Sequence, residues 1–132
     1  MSRIWIYEAQ IVRPVDGDTT VMDIDQGMNH WARNQYVRYA GINAPEVEGP
    51  TKDAGLAAKA YLTGLLTAGQ AWLATLEYHE FEKYGRILAV VYTAPPTALN
   101  WADAQLADLL PGSVNQEMLD SDHAVAYDPS GL

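Results

Sequence analysis

The sequence predicts an α+β fold in a single domain. Five short runs rich in β-branched and aromatic residues are separated by turn residues, which is typical of a small sheet or barrel. One longer segment, inserted after the third run, repeats its apolar residues with the period of a helix. The length of 132 residues lies within the range of one domain and is enough to bury one core without crosslinks.

The first part of the chain contains three predicted strands. Residues 4–15 (IWIYEAQIVRPV) and 19–25 (TTVMDID) flank Asp16-Gly17, a dipeptide that favours a hairpin turn with positive backbone φ. After a polar turn, residues 31–42 (WARNQYVRYAGI) form the third strand. The sequence Asn43-Ala44-Pro45 ends that strand, because proline cannot donate to a ladder.

The helical period begins at Asp53. We expect Thr51 to be the N-cap of this helix and Gly69 to be the left-handed residue past its end. Apolar residues recur at i, i+3, i+4, i+7, i+8, i+11 and i+12, which places them on one stripe of the helix. The stripe consists of Ala54, Ala57, Ala58, Tyr61, Leu62, Leu65 and Leu66.

Two further strands and two helices complete the prediction. Residues 71–78 (AWLATLEY) and 86–93 (RILAVVYT) are the fourth and fifth strands. Residues 98–110 (ALNWADAQLADLL) and 114–121 (VNQEMLDS) are predicted helices. Five short strands with helices in this order fit a Greek-key barrel of the OB type carrying two to three packed helices.

Segment 97–112 is interpreted as an inserted helix within this single domain of residues 1–132. Its apolar face is predicted to pack on the core, and a surface for a partner protein is the alternative. That face consists of Trp101, Leu106, Leu109 and Leu110.

Composition narrows the classes of function. The chain has 8 Lys plus Arg against 17 Asp plus Glu, and its net charge of −9 argues against general attraction to a nucleic-acid backbone. The last basic residue is Arg86, so a local basic cleft in the first two thirds of the chain stays open. The absence of cysteine excludes disulfides, thiolate zinc sites and cysteine nucleophiles. Without a signal peptide or membrane span, we expect a cytoplasmic monomer.

Three short motifs carry candidate chemistry, and each has a structural and a functional interpretation. Asp18 in VDGDT is either part of a hairpin turn or an oxygen ligand for a hard cation such as calcium. In VRYAGINAPE, Arg38 shares a strand face with Tyr36, and its guanidinium needs a partner. That partner is either a carboxylate, Glu46 or another, in a structural salt bridge, or a bound phosphate. EKYGR places Arg86 after a tight turn, with the same two alternatives.

The combination of these motifs favours chemistry on a phosphodiester. Two arginines that present paired donors to phosphate oxygens, one carboxylate that accepts a proton and one hard-cation ligand are the groups that phosphodiester hydrolysis requires. The blocks VDGDT, VRYAGINAPE, EKYGRILAVVY and NQEMLDSDHAVAYD, in this order and spacing, resemble the staphylococcal (micrococcal) nuclease family. The resemblance spans nearly the whole chain. It implies a five-stranded OB-fold barrel and a calcium-dependent nuclease that cleaves DNA and/or RNA to leave 3′-phosphates.

The resemblance also implies roles for single residues. Arg38 and Arg86 fall on the two arginines that contact the scissile phosphate, and Glu46 falls on the glutamate that activates water. Lys83 and Tyr84 match positions at a terminal phosphate of the bound nucleotide. Tyr127 approximates a tyrosine that lines the nucleotide pocket.

For the metal, the resemblance implies Asp18, Asn43 and the backbone carbonyl of Ala44 as calcium ligands. Asn43 departs from the family, which usually has an aspartate there, so the site loses one formal negative charge. We therefore expect weaker calcium binding, use of another divalent cation, or a site completed by substrate phosphate. The alternative function is a catalytically weak or inactive OB module that binds nucleic acid or protein.

Overall fold

The structure is a computed structural model that describes residues 4–76, 85–96 and 106–127. Its strands and helices follow one another along the chain, with one short 3₁₀ segment at Gly49–Thr51 before the first helix. In chain order they are β1 (Ile4–Asp16), β2 (Thr19–Asp25), β3 (Trp31–Tyr39), β4 (Ile42–Asn43), α1 (Lys52–Leu65), β5 (Gln70–Leu76), β6 (Ile87–Tyr92), α2 (Leu106–Leu109), α3 (Val114–Asp120) and β7 (Val125–Ala126).

Five of these strands close into a barrel in the order β1-β2-β3-β6-β5. Neighbouring strands are antiparallel except β3 and β6, which run parallel and pair Val37 with Ile87, Arg38 with Leu88 and Tyr39 with Ala89. The predicted α+β class and five-stranded OB-like barrel with helices are confirmed. No helix of the described residues combines the length and apolar composition that a membrane span requires.

The core has two parts. The barrel interior is filled from the strands and sealed by α1, whose Ala58 and Leu62 are fully buried. Outside the barrel, Leu106 and Leu109 of α2 are buried in a second cluster with Ile4, Val90 and other strand residues. Within the inserted segment, residues 97–105, including Trp101, lie outside the described residues. The described apolar residues of this segment therefore pack on the protein's own core.

The third strand is shorter than predicted. It ends at Tyr39, because Gly41 adopts a left-handed φ of +79° and turns the chain. Ile42 and Asn43 form the separate strand β4, which pairs with β7 at the end of the described chain. Neither two-residue strand was predicted.

Helix α1 follows its predicted apolar stripe in part. Ala58, Leu62 and Leu66 are buried, whereas Ala54 and Ala57 are exposed. Gly69 adopts the predicted left-handed φ, at +76°. Thr51 occupies the N-cap position without capping the helix, since its hydroxyl instead donates to the backbone carbonyl of Glu46 at 3.1 Å. The start of α1 is thus tied to the loop that carries Glu46.

A single buried amide docks α3 on the sheet. The side chain of Asn115 is fully buried. Its Nδ2 donates to the carbonyl of Ala40 at 2.8 Å and to that of Ala89 at 3.3 Å, and its Oδ1 accepts from the Val91 amide at 2.9 Å. Asn115 therefore connects α3 to β6 and to the turn that follows β3.

Candidate active site

The turn between β1 and β2 packs on α1 through Gly17, which has an acidic residue on either side. The prediction of a positive φ at Gly17 is wrong. Gly17 is not among the described glycines that have a positive φ. Glycine is needed here for close packing instead: a Cβ at this position would lie 2.7 Å from the Cβ of Ala44 and 2.8 Å from that of Ala58. This close approach places the flanking Asp16 and Asp18 beside β4 and its exit loop.

Asp18 is a buried carboxylate with a defined orientation, 6% exposed. Its Oδ2 accepts from the backbone amide of Ala44 at 2.8 Å and lies 3.5 Å from Nη2 of Arg38. Its Oδ1 accepts from the hydroxyl of Thr19 at 3.1 Å. Asp18 therefore links β2, β3 and the β4 exit, which is more than a hairpin turn alone requires.

Arg38 is the buried partner of this carboxylate, 8% exposed. Its Nη1 donates to the Tyr39 carbonyl at 2.8 Å, and its Nη2 lies 3.4 Å from Oδ1 of Asn43. Its guanidinium carbon is 5.9 Å from the centre of the Tyr127 ring. Arg38 is thus paired with the carboxylate of Asp18, whereas the sequence analysis named Glu46 or another carboxylate as its partner in a salt bridge.

Glu46 lies on the exposed loop that follows β4. Its backbone packs on Gly55 of α1, where any Cβ would overlap the Glu46 carbonyl. Together with the hydrogen bond from Thr51, this contact fixes the loop while leaving the Glu46 side chain exposed. The Glu46 carboxylate is therefore accessible to water on a loop that is fixed through its backbone.

Arg86 immediately precedes β6. The parallel register of β3 and β6 pairs Val37 with Ile87, so Arg86 lies level with Tyr36. Arg86, Tyr36, Asp16 and Thr19 line one open depression of about 580 Å³ on the barrel surface. The depression reaches from the β1–β2 turn to the start of β6.

Asp16 is a site residue that the sequence analysis treated only as part of a turn. Burial raises its pKa to about 7, and the side-chain hydrogen bond and negative charge of Asp18 add to the effect, whereas the hydrogen bond from the Asp18 backbone amide lowers the pKa. The charge of Glu46 also raises this pKa, so Glu46 lies within electrostatic reach of Asp16. Asp16 therefore interacts with Asp18 of the buried ion pair, lies within electrostatic reach of Glu46, and lines the same depression as Arg86. Its place beside Asp18 in VDGDT was the available signal.

The residues predicted for the site differ in how closely they meet. Arg38, Asp18, Asn43, Ala44 and Tyr127 are in contact or within a few ångströms of one another. Glu46 lies within electrostatic reach of Asp16, and Arg86 lines the same depression as Asp16. The predicted substrate residues Lys83 and Tyr84 lie outside the described residues.

The oxygen donors of this site fit a hard divalent cation. Asp16 and Asp18 provide carboxylates and Asn43 an amide oxygen, and calcium prefers such ligands. The raised pKa of Asp16 marks negative charge that a bound cation would offset. The described part of the chain holds no group of three or more His, Cys, Asp or Glu side chains suited to a metal. A cation here would therefore have few charged ligands from the protein.

We expect Asp16→Asn to stabilise the cation-free protein at about pH 8 and to have little effect near pH 4. The folded-state pKa of about 7 lies above the ordinary value of 3.8 for an aspartate, so ionisation disfavours the folded state. The stability linked to protonated Asp16 is fully present below the unfolded-state pKa and is lost as pH rises through about 7. Because Asp16 is only partly buried, we expect a gain of about 1 kcal/mol.

Urea unfolding in the presence of a chelator, at both pH values, measures this effect. Glu8→Gln removes the same charge from an exposed position on β1 and is the control. A stability gain of equal size at both pH values would contradict the prediction.

Comparison with known families gives a match over most of the chain. A family model described as "Staphylococcal nuclease homologue" matches residues 36–130. The matched range includes Arg38, Glu46 and Arg86, whereas Asp16 and Asp18 lie upstream of it. No curated protein matches the chain significantly.

Proposed function

The chain belongs to the family of staphylococcal nuclease homologues, and from this premise we propose that it is a metal-dependent nuclease that hydrolyses phosphodiester bonds of DNA and/or RNA. The observation that carries the proposal is the buried ion pair of Arg38 and Asp18 beside an open depression. Around this pair, Asp16, Glu46 and Arg86 supply further carboxylates and a second guanidinium. This combination suits a phosphate diester better than a neutral ligand.

In the proposed mechanism the two arginines bind the phosphate. Each guanidinium donates paired N–H groups to phosphate oxygens, and Arg38 is already oriented by Asp18 and the Tyr39 carbonyl. Arg86 stabilises the charge that develops on the phosphoryl oxygens in the transition state. Glu46 takes a proton from the attacking water, whose oxygen bonds to phosphorus as the P–O5′ bond breaks. The 5′ oxygen leaves and takes a proton from solvent, so the products carry 3′-phosphate and 5′-hydroxyl ends.

The acidic side chains next to Arg38 are assigned to the cation. Asp16, Asp18, Asn43 and the carbonyl of Ala44 would hold a divalent ion, with calcium as the first candidate. Bound there, it supplies positive charge that offsets the phosphate and helps orient water. With Asn43 in place of a carboxylate, we expect modest affinity, because the charge of the ligands helps set the strength of calcium binding.

Three tyrosine and lysine positions are assigned to the nucleotide. Tyr127 is exposed, and its ring lies near Arg38, which suits a surface that lines the nucleotide next to the phosphate. Lys83 and Tyr84, in the segment before Arg86, are proposed to contact a terminal phosphate. These assignments follow from the family pattern.

The test of this function is release of acid-soluble nucleotides from denatured DNA and from RNA. We expect release with calcium or another divalent cation and its loss in a chelator. A folded protein that is inert with every cation tried would favour the alternative, an OB module that binds nucleic acid or protein without cleaving it. Asn43 in a metal-ligand position is the observation behind that alternative.

We expect Asn43→Asp to raise calcium affinity by about tenfold, since it adds a negative charge to the ligand set. The gain is limited because the new carboxylate also lies near Nη2 of Arg38. Calorimetric titration with calcium, with and without a nucleoside bisphosphate, measures it. Asn29→Asp adds the same charge to the exposed β2–β3 turn and is the control. Equal affinities of Asn43→Asp and the wild type would remove this position from the ligand set.

A further inference from the structure

Next to the proposed phosphate site, an exposed aromatic ring lies on the outer face of the barrel. Strands β2 and β3 pair Thr19 with Arg38 and Val21 with Tyr36. The side chains of these two cross-strand pairs therefore lie on the same face of the sheet. Tyr36 is therefore two residues, about 7 Å, from Arg38 along β3. This spacing is comparable to the length of one nucleotide in an extended strand.

The ring of Tyr36 is accessible, with 45% of the residue exposed, and it forms one wall of the depression that Arg86 lines. Arg13 holds its edge: Nη2 of Arg13 donates to the Tyr36 hydroxyl at 3.2 Å, and the guanidinium carbon is 5.9 Å from the ring centre. An oriented, accessible aromatic ring is the usual platform for an unstacked base.

The charge of Arg13 is also available to a ligand. Ion pairs among the described residues join Arg33 to Asp23 and Arg38 to Asp18, and neither uses Arg13. In a chain with a net charge of −9, an arginine without a carboxylate partner in the described region is a notable local positive charge. It lies at the hydroxyl edge of the Tyr36 ring, next to any base that stacks there.

We propose that Tyr36 and Arg13 form a base-stacking subsite for the nucleotide next to the scissile phosphate. The ring of Tyr36 stacks on the base, and Arg13 binds the adjoining phosphate. This inference rests on the proposed nuclease function and names a part of the substrate site outside the residues assigned above. The occupant is an unpaired nucleotide, since a base within a duplex has no free face to stack on the ring.

A structural role for the same pair makes a different prediction. Val21 lies between Arg13 and Tyr36 in the cross-strand row and is almost fully buried, so the pair also covers an apolar side chain. Tyr36→Leu preserves an apolar cover over Val21 and removes the aromatic face. Tyr36→Phe preserves the face and removes only the hydroxyl that accepts from Arg13.

The experiment measures binding of a fluorescent single-stranded oligonucleotide by anisotropy in a chelator, where cleavage does not interfere. Matched oligonucleotides carry one abasic position on either side of the central phosphate. For the intact oligonucleotide we expect Tyr36→Leu to weaken binding about 5- to 100-fold and Tyr36→Phe to bind within about threefold of wild type. On one of the abasic ligands, Tyr36→Leu and wild type should bind equally. Arg13→Gln should reduce the dependence of log K on log salt by about one.

Tyr61→Leu, the same substitution on α1 away from the depression, is the control and should not alter binding. Equal binding of the intact oligonucleotide by Tyr36→Leu and wild type overturns the subsite. So does an equal loss on intact and abasic ligands, which would indicate a structural role, or a wild-type protein that binds no oligonucleotide. A wild-type protein that binds the oligonucleotide but does not cleave it with any cation tried overturns the proposed function alone.

Discussion

Glu46→Gln is expected to lower the rate of nucleic-acid hydrolysis by about 10²- to 10⁴-fold, the usual effect of removing a general base. The substitution keeps the size and polarity of the side chain and removes its ability to accept a proton. We expect the free energy of unfolding to change by no more than about 0.5 kcal/mol, because the side chain is exposed. The contacts that fix this loop, from Thr51 and Gly55, involve the Glu46 backbone and remain in place.

Initial rates at saturating cation concentration, with urea unfolding of the same preparations, measure both effects. Glu48→Gln is the matched control, since Glu48 is an exposed carboxylate on the same loop and should be replaceable without loss of rate. A Glu46→Gln variant with the wild-type rate would exclude Glu46 as the base. An equal loss in both variants would point to the general charge of the loop.

Asn115→Ala is expected to lower the free energy of unfolding by about 3–5 kcal/mol. Truncation leaves the Val91 amide and the Ala40 carbonyl without their buried partner, and it opens a cavity between α3 and β6. The Ala89 carbonyl loses less, because it still accepts from the Ala40 amide at 2.8 Å. Two unpaired buried groups and a cavity are each costly in a domain of this size.

Urea unfolding monitored by tryptophan fluorescence and by circular dichroism measures this loss. The control is Gln116→Ala, which truncates the neighbouring side-chain amide on α3. That amide donates a hydrogen bond to Asp120 at the surface. We expect about 0.5 kcal/mol or less for the control. A loss below about 1 kcal/mol for Asn115→Ala would mean that the two groups find other partners.

The long elements of the fold were predictable because their periodicity extends over enough residues. The strands β1 to β3 and helix α1 all carry such a signal. The strands β4 and β7 have two residues each and carry no period, so only their pairing across the fold defines them. The apolar run through Tyr39, Ala40 and Ile42 continues across the turn at Gly41. For this reason the sequence analysis predicted one strand where the structure has β3 and β4.

For the site, residue types were easier to predict than their partners. The motifs indicated Arg38, Asp18, Glu46 and Arg86, whose roles stay predictions. The pairing of Arg38 with Asp18 depends on the packing of the turn through Gly17 against Ala44 and Ala58, which no local spacing reveals. The altered pKa of Asp16 depends on its burial in the folded barrel. Both properties belong to the tertiary structure.

The short parallel junction of β3 and β6 couples ligand binding to the integrity of the barrel. Its three residue pairs include Arg38, and Arg86 immediately precedes them, so each guanidinium sits on a different side of the junction. A phosphate bound by both arginines would link β3 to β6 across this junction. Local separation of the two strands would then also lose the binding free energy of the phosphate. Bound substrate would therefore protect the amides of β6 from exchange with solvent.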